Sequence, residues 1–144
     1  MVASIVDTCS AVVSFLNNAT QQAKFSQTFT AARVFSPAFE REGLSELSVA
    51  VFAAADTTAH LSRGGELHSL KVGICIRKPV NPDSTTDGDA MLQLCDEVKD
   101  VLKFESMNGA GYESIEIDPI FSIDYLEQRR EFLAVVMVNY LKGR

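Results

Sequence analysis

Residues 131–144, EFLAVVMVNYLKGR, decide how this chain folds. Every position from Phe132 to Val138 is apolar. Successive side chains of a strand point to opposite faces. As a strand, this stretch places Phe132, Ala134, Val136, Val138 and Tyr140 on one face and Leu133, Val135, Met137 and Leu141 on the other, with Asn139 as the polar exception. A sheet with one solvated face alternates apolar and polar residues, and this run does not, so both of its sides need cover. Helices can supply one cover. The second is either a sister copy of the chain, because exposed apolar patches of this kind mark interaction surfaces, or the sheet itself, curled over.

Two earlier stretches behave as its neighbours. LKVGICIRKPV (70–80) alternates Leu70, Val72, Ile74 and Ile76 against Lys71, Gly73, Cys75 and Arg77, and Pro79 ends it. LSVAVFA (47–53) alternates Leu47, Val49 and Val51. AADTTAHLSRGGE lies between them, a polar loop with a Gly-Gly turn, which predicts an antiparallel hairpin with a long tip. Ala50, Phe52, Gly73 and Cys75 are apolar or weakly polar on the face where polar residues are expected. ARVFS (32–36) reads as an earlier strand closed by Pro37. SIEID continuing through IFSIDY (114–125) reads as the strand before the last, with LEQRRE as the charged turn between the two.

Helical spacing occurs twice. Ile5, Cys9, Val12 and Leu16 recur at intervals of four, three and four, and Ser4 with Asp7 three residues on is a capping signature, which predicts a helix over 4–19. In the second, Met91, Leu94, Cys95, Val98, Val101 and Leu102 form one face, and Glu97, Lys99, Asp100 and Lys103 the other. Thr86 or Asp87 is its expected cap, and SMNGAG its expected stop. The order predicts a single α+β domain over residues 1–144: a mostly antiparallel sheet of four to five strands with two helices packed on one face.

Composition narrows the function. Nineteen acidic against thirteen scattered basic residues leave a net charge of −6, which argues against a nucleic-acid-gripping surface. Cys9, Cys75 and Cys95 are too few and too widely spaced for a disulfide framework or a metal site, and read as buried thiols of a reducing compartment. No basic region precedes the apolar residues near the N-terminus, and no run is long enough to span a bilayer, so a cytosolic chain with no membrane partner is expected. His60 and His68 read as solvated loop histidines. Gly109-Ala110-Gly111 reads as a turn, and the acids of Asp83 to Asp89 as helix capping. No enzyme, metal or cofactor is therefore expected. The candidate contact residues lie in two charged loops, at Arg63 and Glu66 and at Glu127, Arg129 and Arg130, with Met137 on the second face of the last strand. Arginine suits such rims because its planar fork pairs bidentately.

Three passages carry a resemblance: the N-terminal amphipathic helix, the hairpin LSVAVFAAADTTAHLSRGGELHSLKVGICIRKPV, and the helix AMLQLCDEVKDVLKF followed by IEIDPIFSIDYLEQRREFLAVVMVNYL. Together they span nearly the whole chain. In element order and pattern the chain resembles the tail terminator (tail-completion) proteins of tailed bacteriophages. The resemblance implies a non-catalytic virion subunit at the tail–neck junction, made in the host cytoplasm. Copies would form a ring, typically a hexamer, on the last ring of tail tube protein, stop tube polymerisation and offer the neck or connector protein of the filled head a docking surface. DNA would pass through the lumen without specific binding. A head–tail connector (stopper) subunit has a similar pattern. A small α+β ligand-binding domain or enzyme is the remaining alternative.

Overall fold

A computed structural model describes residues 4–35, 46–60, 64–118 and 121–143. The element order is α1 (Ser4–Gln21), β1 (Ala31–Arg33), β2 (Ser48–His60), β3 (Glu66–Pro79), α2 (Thr85–Leu102), β4 (Gly111–Ile117), α3 (Ile123–Arg129) and β5 (Glu131–Gly143). The sheet runs β1-β2-β3-β5-β4, and all its ladders are antiparallel except β1 with β2. Its spine is the pairing of β3 with β5, unbroken from Leu67 opposite Gly143 to Pro79 opposite Glu131. The α+β class and the mostly antiparallel sheet thus agree with the expectation from sequence.

One face of this sheet carries the main core. Leu70, Val72, Ile74 and Ile76 of β3 and Ala134, Val136, Val138 and Tyr140 of β5 are wholly buried there. They lie beneath Cys9, Val12 and Leu16 of α1 and Met91, Leu94, Cys95, Val98 and Leu102 of α2. Each fully buried aliphatic side chain contributes about 1.5–3 kcal/mol, so this interface supplies most of the fold's driving force. Polar ties fix the helices in place. The Asn17 carboxamide on α1 accepts from Ala31 N at 2.8 Å and donates to Ala31 O at 3.2 Å, acting as a strand partner for β1. Ser26 donates through both its backbone N and its hydroxyl to Glu97 of α2.

Four details differ from the sequence expectation. The hairpin tip is short, because β2 continues to His60 and β3 resumes at Glu66, so most of AADTTAHLSRGGE is strand. The cap of α2 is Ser84, whose hydroxyl accepts from Asp87 N at 3.2 Å, while the Asp87 carboxylate accepts from Asn81 N. The same helix stops before SMNGAG, at Lys103 and at Phe104, whose φ is +64°. Asn108 and Gly109, both at positive φ, instead form the two-residue turn joining Met107 to Ala110, the geometry that best matches the twist of paired strands. Finally, LEQRRE is not a turn between strands. Residues 123–129 form α3, started by the Leu126 N–H donating to Ser122 O, and β4 ends at Ile117.

The second face of the sheet has a glycine at its centre. Gly73 of β3 faces Phe52 of β2, and a β-carbon on Gly73 would overlap the Phe52 ring. The ring covers the backbone that the missing side chain leaves bare, against Met137 and Cys75. Gly73→Ala should therefore displace the ring and cost about 1–3 kcal/mol in urea unfolding. In a Phe52→Ala background the same change should cost nothing, the coupling expected of directly packed neighbours.

Candidate interaction surfaces

The outer face of β5 changes character along its length. At the Glu131 end, Leu133 and Val135 are only 4% and 6% exposed, and Cys75 lies buried beside them. Arg77 Nη2 donates to Glu131 Oε2 at 2.8 Å, with both side chains nearly excluded from solvent. A single chain therefore already covers both faces of residues 131–136, and a sister copy is not needed there. At the other end the face turns polar through the neighbouring strands: Lys71 and Ser114 flank Asn139, whose side-chain N–H donates to Ser114 Oγ at 2.9 Å. Met137, expected as a contact residue, sits half-buried between these two zones.

The other expected contact residues do not form one patch. Glu66 opens β3, with its carboxylate 3.5 Å from His68 Nε2. Glu127 and Arg130 are exposed at the start of β5, Glu127 on α3 and Arg130 at φ +55° just after it. The Arg130 carbonyl accepts from Val80 N at 3.0 Å. Arg129 closes α3, and its side chain lies outside the described residues, as does Arg63 altogether. Because Glu66 lies beside the Gly143 end of the 13-residue β5 and Arg130 at its Glu131 end, the two groups are about 40 Å apart.

Three features were not anticipated from sequence. The first is the open edge of β2. β1 covers it only at Val49–Val51, and Ala53–His60 is exposed along its whole length, without a strand on its outer side among the described residues. The second is Phe104, 83% exposed and resting edge-on against Tyr112 of β4 at 5.4 Å between ring centres. The third is a half-open cavity of about 220 Å³ at the N-terminal end of α2, floored by Val80, Leu92, Phe121, Leu126 and Phe132 and rimmed by Ser84 and Asp89. Alternating-residue patterns report burial against the chain's own core, which is why exposed edges and isolated aromatics escape them.

Histidine and cysteine chemistry is subdued. Both histidines are in strands rather than in a loop: His60 ends β2, and His68 lies within β3, its Nδ1 3.2 Å from Thr58 Oγ1. Burial pushes the Cys9 and Cys75 thiols up to about 11, partly offset by Arg33 and Arg77 respectively, and pushes Cys95 up to about 12. Burial also raises the phenol of Tyr140, whose hydroxyl finds no hydrogen-bond partner among the described residues. Among the described residues no three metal-ligating side chains gather, and no helix is long and apolar enough to cross a membrane.

No protein-family model and no curated protein matches the chain.

Truncating one partner of a buried ion pair removes a charge-assisted hydrogen bond from the other in a nearly dry site, so Glu131→Ala should cost about 3–5 kcal/mol in urea unfolding. The paired change Arg77→Met with Glu131→Leu should recover most of that loss. The thiols set a second expectation. Their acidity is suppressed in the folded state, so the unfolded chain loses protons first as pH rises. Stability should be fully present below about pH 9 and fall as pH climbs toward 11, read as a declining urea midpoint.

Proposed function

We propose that this chain is a structural subunit that builds closed rings from copies of itself, as a tail terminator does at the end of a phage tail tube. The observation that carries the reading is a projection and a cavity at opposite ends of one helix. Phe104 stands just past the C-terminal end of α2, and the cavity opens at its N-terminal end, about 27 Å away along the 18-residue helix. A contact that seats Phe104 of one copy in the cavity of the next uses two different patches. Such a heterologous contact generates a ring when its rotation closes.

Two further features support this. The charged groups at Glu66 and at Glu127 and Arg130 lie at opposite ends of the sheet, as suits a subunit with different neighbours above and below it, tail tube protein on one side and the neck or connector protein on the other. The net charge of −6 suits a lumen through which DNA slides without being gripped. Whole-chain element order adds the likeness to terminators in particular.

Multi-angle light scattering and negative-stain imaging of the purified protein test the reading. Closed rings, six-fold in the terminator form, are expected, and they should bind the ends of purified tails. Binding to filled heads instead would make the chain a connector subunit. A protein that stays monomeric and binds neither would refute the proposal. Phe104→Ser removes an exposed side chain and should cost no more than about 1.5 kcal/mol of unfolding free energy, the worth of its edge contact with Tyr112, while abolishing rings.

A further inference from the structure

We infer that the open edge of β2 pairs two copies of this chain through a two-fold, antiparallel strand contact centred on Thr58. The inference begins with how the sheet's edges are guarded. At β1, the Asn17 carboxamide occupies both backbone groups of Ala31. At β4, the strand is seven residues long, carries exposed Glu113 and Glu116, and is bent by an irregularity between Tyr112 and Ser114. Short length, charge and bulges are the devices that keep an edge from recruiting another strand. Ala53–His60 of β2 has a bulge at its inner end only, no proline or lysine, and a single acid, Asp56. It is the unguarded edge among the described residues.

Backbone parity says which groups are on offer. Val34 N donates to Val51 O, so Val51 directs its backbone groups outward. The ladder skips Ala54, which shifts the alternation by one. Beyond that point Ala55, Thr57 and Ala59 bond to Lys71, Ser69 and Leu67, while Asp56, Thr58 and His60 turn their N–H and C=O to the outside.

Charge then selects the occupant and the register. Two copies of this edge, paired antiparallel about Thr58, set Asp56 of each copy opposite His60 of the other. Centring the pair on Asp56 would instead oppose two carboxylates, which is destabilising. The edge is thus complementary to itself. A second copy of β2 meets no acid directly across from Asp56, and the small side chains of Ala55, Thr57 and Ala59 leave room for approach. The contact is isologous, so it joins copies in pairs and is separate from the heterologous contact that closes a ring.

Two variants test it. In this register the two Thr58 residues form a directly hydrogen-bonded pair with Cα atoms about 5.5 Å apart, within disulfide reach. Thr58→Cys should therefore yield a covalent dimer under mild oxidation, seen on a non-reducing gel, while the buried native thiols stay unreacted. Thr58→Pro deletes an outward N–H without touching the inner ladder. It should raise the dimer dissociation constant by about 10-fold or more, because the symmetry counts each lost bond twice, while Thr58→Val, which also lacks the hydroxyl contact to His68, should dimerise normally. Failure of Thr58→Cys to cross-link in a protein that light scattering shows to be folded and associated would overturn the register. Equal association of Thr58→Pro and the parent chain would overturn the edge contact. Neither result bears on ring formation, which Phe104→Ser reports.

Discussion

The structure hangs on the pairing of β3 with β5. β3 is the central strand of the five and β5 its inner neighbour, and most of the ladder between them lies over a layer of buried aliphatic side chains. β5 can be apolar on both faces because its neighbours differ on each. Toward the helices it meets the wholly buried Leu70, Val72, Ile74 and Ile76. On the other side, the Arg77–Glu131 pair and the Phe52 ring over Gly73 bound a smaller apolar patch around Cys75, Leu133 and Val135. An ion pair so deeply buried contributes little net stability compared with an apolar pair of the same size. Its effect is one of register: the alignment that sets Pro79 opposite Glu131 brings the two charges together, and a slip of one residue would separate them.

Much of this was legible from residue patterns, and the failures have physical causes. The alternation at 70–76 and the four-three-four spacing of Ile5, Cys9, Val12 and Leu16 report burial against the core, and both elements form where those patterns run. The strand pattern of β2 stops near Ala53 in the sequence because Ala53–His60 is exposed on both faces and carries no such alternation; it is strand because β3 supplies its hydrogen bonds. Short-range chemistry misled at α3. Phe121, Ile123 and Tyr125 alternate with Ser122 and Asp124 as in a strand, yet the backbone bond from Leu126 to Ser122 turns the chain into a helix that directs Leu126 to the cavity beside Phe121. The two-sided apolar run of β5 correctly demanded a second cover, but much of that cover lies within one chain. Of the residues expected in two charged loops, Glu66 lies in β3 and Glu127 in α3, with Arg130 at the junction of α3 and β5. The cavity could not be read in advance, because its lining comes from residues 80 to 132, brought together only by the fold.

The surfaces left over by the core divide into separate roles. Ion-pairing groups cluster at the two ends of the sheet, aromatic Phe104 and the apolar cavity at the two ends of α2, and backbone without a strand partner among the described residues along the outer half of β2. An exposed phenylalanine held in the left-handed region carries a backbone cost, since a bulky side chain at φ +64° crowds its own carbonyl. That residue rests on Tyr112 rather than folding back over the end of α2, so its ring stays presented to solvent.

The same reasoning bears on the arm formed by the outer half of β2. No buried side chain holds Ala53–His60 in place, yet it is not a free ribbon. β3, to which it bonds, is itself locked by β5 to the very end of the ladder at Leu67 and Gly143. The edge is thus an extended backbone fixed before any partner arrives, and much of the ordering entropy that a docking strand must normally overcome is already spent in folding. A mobile loop of the same composition would lose that advantage. In the proposed edge contact it is the stiffness of the central pair of strands, rather than any single contact residue, that would let a weakly apolar stretch of alanine and threonine select a second copy by hydrogen-bond register.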